Sequence, residues 1–386
     1  MANLKVSFTS NGTKTLATSG KYCDRNIDVE VNVPTGGGGA DIPSSAFMIT
    51  DGAYTFVNNQ WVWFIYAYGD KITTSGIQDC RYMFGSTNNV YAQVANIPFA
   101  INFVDGSTNG YDATGMYRLC YRLKKLPQMP AFEPVVMEDM FYGCHSLNDI
   151  SALEKADFRY LHNRTNGNLK NLFRSCYSLR SIPEAVLKEL YIPVANNTEE
   201  DITRTIFNRG FNYCICLDEL VGVPINTGTT EVNTDMFNDS FSSCYRLKEL
   251  TFNNHNENGY LLQLLWSNQS IDLSQYIGYA SSYGAADITR YESGITESTK
   301  ITDDATYQTY KNHPDAWTDN EAYSRYNKTS AENTISSLPD VSRGTNNIIR
   351  FKGPSGSKTD GGAINTMTEE KIAVAAAKGW TVAFLP

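Results

Sequence analysis

The sequence predicts an α/β repeat protein: a solenoid of helix–turn–strand units behind a small all-β module at the N-terminus. Three observations predict it. A cysteine-centred string recurs five times between residues 116 and 250. Apolar residues alternate at Leu4, Val6 and Phe8 and again at Ile27, Val29, Val31 and Val33, which is the period of a strand. The apolar run at Val62–Ala67 is far short of the roughly 20 residues that span a bilayer, so no membrane insertion is expected.

The balance of 32 basic against 41 acidic residues gives a net charge of −9, which argues against a nucleic-acid partner held through phosphates. The opening MANLKVSFTSNG has no apolar core and no cleavage site, so no secretory leader is expected.

Taken in order, residues 1–34 read as the β module. Asn11-Gly12 marks a tight turn between alternating segments. Residues 35–40, with Gly36 to Gly39, form a flexible linker. Residues 41–74 hold Trp61-Val62-Trp63-Phe64-Ile65-Tyr66, which reads as a buried strand in a segment that caps the repeats.

The repeats occupy 75–255. Their copies are Met116-Tyr117-x-x-Cys120-x-x-Leu123, Met140-Phe141-x-x-Cys144-x-x-Leu147, Leu172-Phe173-x-x-Cys176-x-x-Leu179, Phe211-x-x-Cys214-x-x-Leu217 and Phe241-x-x-Cys244-x-x-Leu247. Each continues to a further Leu or Ile three residues on, and Met83-Phe84 looks like a degenerate first copy. Phe and Cys three apart would share a helical face, and the leucines would lead through a turn into a short strand. One such unit cannot bury its apolar face alone, but stacked neighbours can. Cysteine is small, apolar and commonly buried, so these five cysteines are expected to form an interior ladder rather than disulfides. In such an apolar column a serine at position 144 would find no hydrogen-bond partner. The rival reading is zinc, but Cys214-Ile215-Cys216 lacks the ligand spacing of a zinc site. No metal and no cofactor is expected.

Residues 256–386 read as atypical repeats ending in a C-terminal cap. Ile271–Leu273 is strand-like, 275–300 is loop, and Asp319–Ser337 is helical up to Leu338-Pro339. Asn347–Phe351 is a strand, and Thr366-x-x-Glu369 is a capping box that opens a helix through Ala377. Gly379 closes that helix, and Trp380–Leu385 is the last strand.

With these residues in view, the string MFxxCxxLxxLP resembles the BspA-type leucine-rich repeat family over roughly residues 75 to 255. MEDMFYGCHSL (137–147) and LKNLFRSCYSLRSIP (169–183) carry the resemblance best, and insertions at 151–168 and 184–209 depart from it. The stretch FTSNGTKTLATSGKYCDRNIDVEVNVP is similar to N-terminal modules of tail and fibre-like proteins in phages of gut bacteria. The tail TMTEEKIAVAAAKGWTVAFLP resembles the C-terminal unit of phage-borne members of the repeat family. These resemblances imply a virion protein of tail-fibre or receptor-binding type. Its N-terminal module would hold other virion proteins, its repeats would face a host glycan or protein, and it would be a homo-oligomer, a trimer by analogy. A structural or decorating virion subunit is the alternative, and a bacterial surface adhesin a second one.

The family transfers no catalytic residue. None of His145, His162, His255 and His313 sits in a metal-ligand motif, and no nucleophile elbow or phosphate loop occurs, so no enzymatic activity is expected. Asp303, Asp304, Asp315 and Asp319 lack the calcium-loop pattern. The candidate partner-binding residues follow the motif cysteines: Tyr121, Arg122, Lys124, His145, Tyr177, Arg180, Tyr245, Arg246 and Lys248. In stacked copies they would form a row of rings flanked by cations, suited to an anionic glycan or a teichoic-acid-like polymer. Rings that merely cover the edges of neighbouring copies are the other reading.

Overall fold

The computed structural model describes residues 14–17, 28–31, 47–50, 65, 72–77, 79–87, 92, 94–104, 109–162, 169–190, 209–226, 237, 239–244, 247–255, 270–273, 326–342, 344–352 and 364–385. Strands β1 (Lys14–Ala17) and β2 (Asp28–Val31) pair antiparallel, with Lys14 opposite Val31. The expected strand at residues 4–8, the turn at Asn11-Gly12 and the linker lie outside the described residues. Of Trp61–Tyr66 only Ile65 is described. It is helical, not extended, and packs half-buried against the core.

Among the described residues, all later pairings are parallel. They join β3 (Phe47–Thr50) to β4 (Ile72–Ser75), β5 (Tyr111–Asp112) to β6 (Pro134–Val136), and β7 (Glu219–Asn226) to β8 (Glu249–His255). Lys125 bridges Asp149 in the same sense. One hydrophobic cluster runs from Ile72 to Trp380. Among the described residues, no helix is long and apolar enough to cross a membrane.

The five copies lie one against the next, and position relative to the motif cysteine describes them all. The rings three residues before it, continued by Phe84 of the degenerate copy, stack nearly parallel: Phe84 on Tyr117, Tyr117 on Phe141, Phe141 on Phe173, Phe173 on Phe211 and Phe211 on Phe241. Phe141, Phe173 and Phe211 are wholly buried, as are Cys144, Cys176, Cys214, Cys244, Leu147, Leu179, Leu217 and Leu247, and Phe241 is nearly so.

The segment before each cysteine is not helical. It is a run of tight turns, in which Cys144 N–H reaches the Phe141 carbonyl and Tyr142 N–H the Asp139 carbonyl, each three residues back. Left-handed residues recur five and one before the cysteine: Gly115 and Leu119, Asp139 and Gly143, Asn171 and Ser175, Arg209 and Tyr213, Asp239 and Ser243, with φ between 53° and 77°. An α-helix would point every amide along its own axis. Here the amides between those engaged in the turns cross to the next copy instead. Phe141 N–H meets Leu172 O at 3.1 Å, Gly143 N–H meets Arg174 O at 2.8 Å, and Tyr117 N–H meets Met140 O at 3.0 Å. The inter-copy bonds offset the roughly 1 kcal/mol that each non-glycine left-handed residue costs.

The cysteine ladder also has acceptors. Cys144 Sγ donates to the Tyr117 carbonyl at 3.0 Å, Cys176 Sγ to Phe141 O at 3.2 Å, Cys214 Sγ to Phe173 O at 3.1 Å and Cys244 Sγ to Phe211 O at 3.1 Å. Each of these carbonyls also takes the amide of its own copy's cysteine, so the thiol uses its second lone pair. This corrects the expectation of a column without a partner for a hydroxyl. Cys144→Ser is therefore expected to cost about 1 kcal/mol or less and no more than Cys144→Ala, since the hydroxyl can donate to the same Tyr117 carbonyl. Thermal unfolding of the two variants checks this. Burial pushes the ladder thiols above their ordinary range, Cys244 to about 12, which disfavours the reactive thiolate. All five are free cysteines. Alkylation should leave them unlabelled in the native protein and label them after denaturation.

Beyond the copies, α1 (Arg159–His162) and α2 (Glu184–Leu187) are single turns in the insertions. Helix α3 spans Lys328–Ser337, starting later than Asp319, because the Asn327 side chain accepts from Ser330 N–H and caps it there. It packs on β8 through Thr334 Oγ1, which donates to Leu250 O at 2.5 Å, while Ser337 Oγ accepts from Phe252 N–H. Helix α4 (Glu369–Ala377) is capped by Thr368, not Thr366, which lies in a 3-10 turn. Gly379, at φ 84°, ends it. Strands β9 (Ser270–Leu273), β10 (Asn347–Lys352) and β11 (Trp380–Leu385) close this end as a parallel sheet with β10 in the middle.

Candidate functional site

The position one after the cysteine is held in register by backbone bonds. Ser146 N–H meets Tyr121 O, Ser178 N–H meets His145 O, and Cys216 N–H meets Tyr177 O, at 3.0 to 3.1 Å. Tyr121, His145 and Tyr177 therefore fall in one row, and all three are half-buried. The His145 ring lies 4.1 Å from the Tyr177 ring in a stacked contact and 6.4 Å from Tyr121 edge-on. The sequence register thus brings these three together. In the next copy the row changes character, for Ile215 is fully buried. Tyr245 and Arg246 lie outside the described residues.

The cations do not form one flank. Arg122 is exposed two positions after its cysteine, whereas Lys124, Arg180 and Lys248 are exposed four positions after theirs. Between Arg180 and Lys248 the same row holds Asp218, tied to both by backbone bonds of 2.9 Å. The adjacent row holds Lys125, then Asp149, Ser181, Glu219 and Glu249. A continuous basic flank is therefore not what the register produces: the cations beside the rings, Arg122, Lys124, Lys125 and Arg180, give way to mixed charge from Asp218 onward. Extending the repeat register by one more position in the sequence reveals this.

Burial disfavours the imidazolium of His145 and holds its pKa down at about 4, against an ordinary value of 6.5. A histidine depressed in the folded state binds its proton first in the unfolded chain. Its contribution to stability is complete above pH 6.5 and is lost as pH falls from there towards 4. Between pH 7 and 4.5 the histidine is expected to remove about 2 kcal/mol, and the variant His145→Phe should lose less over the same interval. Denaturant unfolding at the two pH values checks it, and equal losses in both proteins would refute it.

A second row lies two before the cysteine. Tyr142 sits between two guanidinium groups, with Arg118 Cζ 5.2 Å and Arg174 Cζ 5.0 Å from the ring centre. Arg118 Nε is 3.2 Å from Asp139 Oδ2, and Asp139 Oδ1 accepts from Asn171 at 2.8 Å. The sequence reading missed this row, since no aromatic repeats there. The signal available to it was the alternation Arg118, Tyr142, Arg174 at a constant offset.

Compared with known proteins, the chain matches no family model, no curated sequence and no solved structure.

Proposed function

We propose that the chain is a phage virion protein of tail-fibre or receptor-binding type. Its stacked copies would form a BspA-type leucine-rich repeat solenoid, and the row Tyr121–His145–Tyr177 would meet a host-surface glycan or protein. The observation that carries the binding reading is the half-buried ring row itself: three rigid, amphipathic rings in consecutive copies, with Lys124 and Arg180 exposed three positions on. The virion reading rests on the resemblance of the two ends of the chain. On this reading the N-terminal module holds other virion proteins, the assembly is a trimer, and the function is binding without catalysis.

Ile215, buried at the equivalent position, favours a second reading. The rings then cover copy edges, and the chain is a structural or decorating virion subunit.

The double variant Tyr121→Ala/Tyr177→Ala decides between them. Loss of host-cell binding with an unchanged melting temperature is expected. A lowered melting temperature with binding retained would support the structural reading. Unchanged adsorption of a phage lacking the gene would remove the receptor role altogether.

A further inference from the structure

We propose that helix α3 takes the place of one residue of a further parallel strand and so closes the outer edge of β8 against pairing with a second copy of this chain. The inference is independent of the ring row and comes from two backbone groups at the end of the copies. Strand β8 pairs with β7 on one side, and among the described residues no strand pairs with its other side. The Leu250 carbonyl and the Phe252 amide face α3 there. A single residue of a parallel neighbour would engage both, its N–H meeting the carbonyl and its C=O the amide two residues on. Helix α3 supplies the same two partners from side chains. Thr334 Oγ1 donates to Leu250 O at 2.5 Å, and Ser337 Oγ accepts from Phe252 N–H at 2.9 Å.

The roles of the two hydroxyls are fixed by their other bonds. Ser337 Oγ gives its proton to Thr334 O at 2.7 Å and is left an acceptor for the amide. The Thr334 proton is directed at Leu250 O and Ser330 O, so the Tyr326 hydroxyl, 2.7 Å from Thr334 Oγ1, is the donor in that pair. Within the helix the buried apolar side chains are Ala331 and Ile335 alone, so the hydroxyls, more than apolar area, set where α3 sits on the edge. The same substitution occurs at the other end of the copies. There Thr74 Oγ1 donates to Ala100 O at 2.7 Å and accepts from Asn102 N–H at 2.6 Å, again a carbonyl and the amide two residues on. A strand edge with bare amides and carbonyls is a template for another chain. The occupant that fits a bared β8 is β8 of a second copy. A two-fold axis sets the two edges antiparallel and closes the pair, and residues 250–254 carry no charge to repel each other.

Sedimentation velocity of the full chain over a concentration series tests this. Thr334→Val/Ser337→Ala is expected to double the wild-type mass as concentration rises, whereas Thr334→Ser, which keeps the hydroxyl, should sediment as wild type. Adding Asn253→Lys at an exposed position of β8 should abolish the doubling, because two such edges would then bring lysines together. Ser337→Ala alone, at a half-buried side chain, bares only the Phe252 amide; it should associate at higher concentration and serves if the double variant fails to fold. Wild-type mass at every concentration in both Thr334→Val/Ser337→Ala and Ser337→Ala would overturn the proposal. So would association that persists undiminished with Asn253→Lys, because it would then arise from exposed apolar surface and not from the strand edge.

Discussion

Phe141→Ala is expected to destabilise the protein by about 3–5 kcal/mol, the range for removing a wholly buried aromatic side chain. Phe141 is in the middle of the ring column, 5.8 Å from Tyr117 and 5.3 Å from Phe173, with interplanar angles of 9° and 10°. Near-parallel rings at these separations are offset stacks, which attract beyond the area they bury. The cavity would open between copies, so neighbours on both sides lose contact. Chemical denaturation of Phe141→Ala measures it, with exposed Val221→Ala as a control expected to change stability by less than about 0.5 kcal/mol. A loss below about 1 kcal/mol at Phe141 would show that the column does not hold the copies together.

Gly85→Ala is the second large effect. A Cβ there would land on the Gly115 carbonyl oxygen and lie 2.7 Å from the Arg118 amide nitrogen. Both are backbone atoms, held by the bonds that join the degenerate first copy to the second: Phe84 N–H to Met116 O at 2.9 Å and Ser86 N–H to Arg118 O at 3.0 Å. Neither can move without breaking that junction, so the expected cost is about 2–3 kcal/mol. Gly222→Ala provides the contrast. Its φ is 78°, but the added carbon meets only the Asn253 side chain at 3.7 Å, so backbone strain of about 1 kcal/mol is all that is expected. Melting temperatures of the two variants check the order, and a milder Gly85→Ala would mean the first copy docks more loosely than these bonds imply.

Cysteine spacing was enough to place Phe141, Cys144 and Leu147, and their counterparts, in one buried register, because burial follows periodicity and periodicity is written in residue types. The conformation between them was not legible. Glycine announces a left-handed backbone, yet eight of the ten left-handed positions in the five copies are Leu119, Asp139, Asn171, Ser175, Arg209, Tyr213, Asp239 and Ser243. Their conformation is imposed by bonds to a neighbouring copy, which no local propensity encodes. The thiol acceptors were hidden for the same reason: the partner of Cys214 is a carbonyl 41 residues away. The helix starts at Asn327 and Thr368 were misplaced because several polar residues nearby could cap equally well by type. Of the candidate site, the ring row was legible as a column. The break of that column at Ile215, and of the cation row at Asp218, was available in the same register.

The amides that cross between copies also set a rule of descent. Every crossing donor at positions 115, 117 and 119 finds its acceptor at the matching place one copy later, and the same holds for 139, 141 and 143. Gaining or losing one whole copy therefore leaves all remaining donors matched, whereas a cut within a turn strands three of them. The connecting segments are under no such arithmetic, as cysteine spacings of 24, 32, 38 and 30 residues attest. A gene built this way can lengthen or shorten by recombination between copies, and can diversify its connecting segments freely, while the junctions stay interchangeable.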